Sequence, residues 1–213
     1  MRRALASIAL TLGITSGSAV ADQPKSSTTA DSLNVSPAVE LRVAMRKLWE
    51  DHITYTRNFI ISTLGNLPDQ KTVTERLLKN QDDIGEAIKP YYGADAGKKL
   101  TALLRDHILI AADVVKAAKA GDKKQLEKQQ ARWTANGKDI AAFLAGANPS
   151  WAKKDLEDML QRHLDLTTGE VVGRLTKDWA KDIASYDEGH AHMMMFADAL
   201  TAGIVKQFPD KFR

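Results

Sequence analysis

The sequence holds no cysteine among its 213 residues. That excludes a disulfide framework, a CxxC zinc site, a thiolate nucleophile and haem attachment through CxxCH. Blocks of like charge are missing too, so the chain carries no footprint for nucleic acid or for an anionic membrane surface. No apolar run is long enough to serve as a permanent membrane anchor. Period-two alternation, the mark of half-buried strands, is almost absent. So are the signatures of hydrolases and nucleotide enzymes: there is no G-x-S-x-G, no H-E-x-x-H, no glycine-rich phosphate loop and no D-x-D pair. What remains, at 44% hydrophobic and 27% charged, has the composition of one ordinary soluble domain with enough chain to bury a core.

The N-terminus has the order of a secretory signal peptide. Met1-Arg2-Arg3 precedes the apolar run Ala4 to Ile14, and small residues then lead to Ala19-Val20-Ala21. Residues 1–21 are therefore expected to be cleaved before Asp22, leaving a periplasmic or secreted protein. Their loss takes Arg2 and Arg3 from 30 basic residues and nothing from the 27 acidic ones, so the net charge falls from +3 to about +1. Residues 22–36 are polar and read as a flexible leader. A single helical-bundle domain is expected over residues 37–213.

From Pro37 onward the apolar residues recur at 3.5 to 3.6 spacing, which predicts an all-α fold. Six helical segments stand out: Val39 to Leu64, Asp69 to Lys89, Ala94 to Lys119, Lys123 to Leu144, a fifth capped by Ser150 and ending near Lys181, and Ile183 to Lys206. Pro90 is expected to stop the second. Short connections between long helices imply an antiparallel four-helix-type bundle with one or two additional packed helices.

Several inward stripes carry polar residues. His52 follows Met45 and Leu48, and His107 lies between Leu104 and Ala111. His163 shares a stripe with Leu156, Leu160, Thr167 and Glu170, while the last helix offers Asp187, His190, Met194 and Ala197. Asn80 lies between Leu77 and Ile84, and Asn136 between Trp133 and Ile140. His52, Asn80, His107 and Asn136 fall near the midpoints of their helices, so an antiparallel bundle brings them to one level. Buried imidazoles and amides need partners, which are one another, water, or a bound ion or cofactor. His192 is expected to pair with Glu188, one turn earlier on the same helix.

Two readings follow. In the first, His52, His107 and His163 hold a transition metal, copper, zinc or iron, with Asp187, His190 or Met194 completing the shell and Asn80, Asn136, Thr167 and Glu170 supporting it. Non-covalent haem is a further cofactor candidate, whereas a di-iron centre needs Glu-x-x-His pairs that the chain lacks. In the second reading the polar layer is structural, and the protein is a non-enzymatic interaction module. No substrate is legible.

A resemblance covers the chain from Pro37 on. Leu48-Trp49-Glu50-Asp51-His52, Asn80-Gln81-Asp82-Asp83-Ile84-Gly85, Pro90-Tyr91-Tyr92-Gly93, His163-Leu164-Asp165-Leu166-Thr167 and Gln207-Phe208-Pro209 resemble the motifs of a family of uncharacterised exported bacterial helical-bundle proteins. Members of that family are loosely labelled glycosyltransferase or acetylglutamate kinase. The resemblance implies export, a helical bundle and roles for His52, His107 and His163. The residues themselves give neither label a basis, since they contain no nucleotide loop and no donor-sugar acid pair.

Overall fold

A computed structural model describes residues 35–213; the expected signal peptide and all but the end of the polar leader lie outside the described residues. The described chain is all-helical, with α1 Pro37–Gly65, α2 Gln70–Tyr92, α3 Ala94–Ala120, α4 Lys123–Ala147, α5 Lys153–Leu175, α6 Trp179–Gln207 and a closing 3-10 turn, Pro209–Phe212.

Local chemistry sets the boundaries. Pro37 opens α1, where its missing N–H and fixed φ are harmless, and Asn66 closes the helix in the left-handed region at φ 52°. Asp122 and Asp178 cap α4 and α6 by accepting the backbone N–H of Gln125 and Lys181, each at 3.0 Å. Three expected boundaries are corrected. Pro90 does not stop α2, because a proline in the last turn removes one backbone bond without unwinding what precedes it; Gly93, at φ 85°, ends the helix. Ser150 does not cap α5: its N–H donates to Asn148 Oδ1 at 2.8 Å in a turn, and the helix starts at Lys153. And α5 ends at Leu175, well short of Lys181, because Lys177 turns left-handed at φ 60° and Asp178 starts the next helix.

Each helix packs on its sequence neighbours and α6 returns to α1, so the six form a closed ring. Directions follow from cross-helix partners. Along α1 and α5 the partners climb together, with His52 beside His163 and Arg57 bonded to Glu170. Along α1 and α6 they run oppositely, with Arg42 bonded to Asp198 and Arg57 to Asp182. Thus α1, α3 and α5 are parallel to one another and antiparallel to α2, α4 and α6. The three parallel helices also touch across the middle of the ring. Residues on their inward faces therefore meet, and that arrangement positions the site.

Candidate functional site

The histidines predicted on the first, third and fifth helices do converge. His52, His107 and His163 are each 2 to 3% exposed. The His52 and His163 ring centroids lie 5.5 Å apart, and those of His107 and His163 lie 5.9 Å apart, nearly parallel at 23°. His163 is thus the middle ring of the layer.

The three differ in how their nitrogens are used. Trp133 Nε1, which can only donate, reaches His107 Nε2 at 3.1 Å, so that nitrogen is an acceptor and the proton sits on Nδ1. His107 Nδ1 then donates to Asn136 Oδ1 at 2.7 Å, and Asn136 Nδ2 donates to the Leu103 carbonyl at 3.1 Å. His107 is fully satisfied. At His52 the partner is Gln81, whose Nε2 sits 3.3 Å from Nδ1 while also donating to the Leu77 carbonyl at 2.8 Å and to Asn80 Oδ1 at 3.1 Å. Asn80 Nδ2 in turn donates to the Leu48 carbonyl at 3.0 Å. His163 is the exception, because its Nδ1 is buried with no partner among the described residues. Thr167 serves that helix alone, donating from its hydroxyl to the His163 carbonyl at 2.9 Å.

Burial keeps all three imidazoles neutral. It pulls His52 down to about 3, with His107 nearby adding to the effect and the Gln81 contact opposing it. His107 falls to about 4 through burial, against the Asn136 bond. His163 is pushed well below its ordinary value by burial, then by His52, His107 and His192 around it.

Three further orphaned polar atoms gather at this level: Thr56 Oγ1, Gln81 Oε1 and Trp49 Nε1, the last on a ring 5.6 Å from that of His52. A buried polar atom without a partner costs roughly 1–3 kcal/mol, so a group of four is a marked expense. Two of the four, Thr56 and His163, belong to residues that line empty space. A small void of about 10 Å3 lies among His52, Thr56, His107, Trp133 and His163. Beyond it a cavity of about 80 Å3 is walled by Phe59, Ile60, Val114, Val115 and Val171. The two share Thr56, Phe59, Ala111 and Trp133 in their walls, so a small polar void adjoins an apolar cavity. Among the described residues no charged side chain lines either part.

The remaining predicted residues do not join this layer. Asp187 is exposed, Met194 half-buried, and His190 half-buried with Nε2 3.4 Å from Glu50 Oε1. The inward face of α6 instead runs Gly189, Met193, Phe196, Ala197 and Leu200. Three consecutive methionines leave the phase of that stripe ambiguous, and fully buried Phe196 selects Met193 one turn before it, which leaves Met194 partly buried against the edge of the core and Asp187 and His190 off the inward stripe. The His192–Glu188 pair is also corrected: His192 Nε2 donates to the Met159 carbonyl at 2.8 Å, and Glu188 bonds Arg162. Among the described residues no three histidine or carboxylate side chains are already placed to share one ion.

Glu170 belongs to a separate buried network nearer the C-terminal ends of α1 and α5. Arg57 Nη1 donates to Glu170 Oε2 and to Asp182 Oδ1, both at 2.9 Å, and Arg174 Nη1 donates to Asp182 Oδ2 at 2.9 Å. Burial raises Glu170 to about 7 despite the Arg57 contact. Sequence patterning put Trp133 on an inward stripe but gave no site role to it or to Gln81, Thr56, Arg57 or Asp182. Gln81 was within reach because it adjoins Asn80, whereas Arg57 and Asp182 meet only through the ring closure of α1 on α6.

Comparison of the chain with family models, with curated proteins and with solved structures finds no match in any of the three.

Proposed function

We propose that this is an exported, non-enzymatic binding protein in which the histidine layer forms the polar wall of an internal ligand chamber. The observation that carries the reading is the unpartnered, buried pair Thr56 Oγ1 and His163 Nδ1 on the wall of a cavity. One internal water would fill the void of about 10 Å3 and satisfy these groups, but the adjoining apolar cavity of about 80 Å3 exceeds what that water needs and suits a ligand that reaches the same polar atoms. Catalysis has less support. No carboxylate faces the imidazoles, the two buried acids nearby are held by Arg57, and histidines at about 3 and 4 are weak bases near neutral pH.

The test uses apolar near-isosteres. Thr56→Val and His163→Leu are expected to leave the melting temperature unchanged or raise it, because each removes an unpaired polar group. Small-molecule analysis of a periplasmic extract equilibrated against the protein should show a compound enriched on the wild type and not on either variant. Destabilisation by both substitutions, with no compound enriched on the wild type, overturns the proposal in favour of a purely structural layer.

One observation favours a second reading, a transition metal held by His52 and His163. Their 5.5 Å ring separation suits two imidazoles sharing one ion at about 2.0 Å per bond, and neutral imidazole suits zinc, copper or iron. His107 would then orient His163 by stacking while keeping both of its own hydrogen bonds. Haem has less room, since the chamber is far below the roughly 300 Å3 of ordinary cofactor pockets. Elemental analysis of wild-type protein and of His52→Ala decides this reading: a stoichiometric metal lost in the variant supports it, and equal trace amounts in both sink it.

A further inference from the structure

Resting on the chamber reading above, we infer that the ligand is a small uncharged amphiphile: an apolar body of about four heavy atoms carrying a single hydroxyl or carbonyl. Size sets the first limit. The apolar part measures about 80 Å3, and a cavity of about 150 Å3 is what accommodates benzene, so an aromatic ring does not fit while a branched C3–C4 group does.

Charge sets the second limit. The chamber wall has no Lys, Arg, Asp or Glu, and its imidazoles stay neutral, so a carboxylate or ammonium entering it would be desolvated without a counter-ion. The head group follows from the orphans. The Thr56 hydroxyl can donate or accept, and His163 Nδ1 lacks a partner, so one ligand oxygen at the narrow end satisfies groups that the protein leaves open. An oxygen there is flanked by Trp133 and Phe59, which direct the rest of the molecule into the wide end.

The way in is between α4 and α5. Leu126 and Gln130 on α4 and Thr168 and Val172 on α5 line the outer wall of the cavity, and Val172 is 37% exposed. This is also the sparsest of the six ring interfaces. A molecule of five heavy atoms in all is limited by its size to micromolar affinity or weaker, so the protein would act where its ligand is abundant.

Methyl NMR on the full chain tests the inference, read at Val114, Val115 and Val171. The probes are isobutanol, isobutyrate, isobutylamine and xenon. Isobutanol is expected to shift these methyls saturably and the two charged analogues are not. Thr56→Val should weaken isobutanol about tenfold and leave xenon unchanged, since xenon reads the cavity but not its polar end. Binding of isobutyrate or isobutylamine as tight as that of isobutanol overturns the ligand class, as does a Thr56→Val variant that binds isobutanol like wild type; xenon shifts in those cases leave the chamber itself standing. If xenon and isobutanol both fail to move the three methyls, the chamber reading falls with the inference.

Discussion

The indole N–H of Trp133 donates to Nε2 of His107 at 3.1 Å, and this contact decides which nitrogen of a buried histidine carries the proton. Because an indole cannot accept, His107 must be the Nδ1–H tautomer, and its N–H is then directed at Asn136. Long-range nitrogen–proton correlation spectra should show His107 in that single tautomer. Asn136→Ala should cost about 1–3 kcal/mol in urea unfolding, because it strands the His107 Nδ1–H in the interior. A cost below about 1 kcal/mol would mean that the interior relaxes around the loss and the layer is not rigid.

Acid should unfold the protein through these histidines. His52 and His107 titrate near 6.5 in the unfolded chain but at about 3 and about 4 in the fold, so between those limits the unfolded state binds more protons. Their contribution is complete above pH 6.5 and is lost as pH falls toward 4 and then 3. With each tenfold difference in proton affinity equal to about 1.4 kcal/mol, the two together account for several kcal/mol, a large share of the ~5–15 kcal/mol that stabilises an ordinary domain. The melting temperature should fall steeply between pH 6.5 and 4, and His52→Leu should flatten that slope.

The inward faces of α1, α3 and α5 were legible because each stripe is anchored on both sides by unambiguous apolar residues: Met45 and Phe59 around His52, Leu104 and Val114 around His107, Leu156 and Leu160 before His163. On α6 the phase was lost where Met193, Met194 and Met195 offered three equivalent apolar choices, and the choice was made by tertiary packing at Phe196. The Arg57 network was illegible for another reason. Glu170 sat on the inward stripe of His163, but Arg57, Arg174 and Asp182 at unrelated spacings read as solvated surface until the ring closes and brings them to it.

Arg57→Met should be among the most damaging single substitutions. It leaves buried Glu170 with no paired cation and Asp182 with Arg174 alone, and removing one partner of a buried ion pair typically costs about 3–5 kcal/mol. The loss should depend on pH. Glu170 titrates at about 7 in the fold and near 4.5 unfolded, so its native form already holds the extra proton between those values, and its contribution to stability declines as pH rises through that window. Without Arg57 the decline should extend to higher pH, making the variant weaker at pH 8 than at pH 6 when compared with wild type by chemical denaturation. Glu170→Gln, which cannot ionise, should remove this trend and leave the opposing histidine-driven slope steeper than in the parent.

Close approach of α2 and α3 rests on two glycines. A Cβ at Gly85 would stand 2.7 Å from the Gly97 carbonyl oxygen and still closer to the Thr101 hydroxyl, and one at Gly97 would meet the Gly85 carbonyl oxygen at 2.7 Å. Alanine favours a helix over glycine by about 1 kcal/mol, but at Gly85 the clash is with backbone, which cannot rotate aside, so α2 and α3 must separate along their length. Separation would carry Gln81, one turn before Gly85, away from His52 and loosen the polar layer. Gly85→Ala should therefore destabilise by about 1–3 kcal/mol despite its better helix propensity. Gly146→Ala supplies the comparison, since a Cβ there meets nothing within 4 Å and should stabilise by up to about 1 kcal/mol. Opposite signs for the two substitutions in thermal or urea unfolding would establish that the α2–α3 contact distance is set at Gly85, and stabilisation by both would show that the helices shift apart without cost.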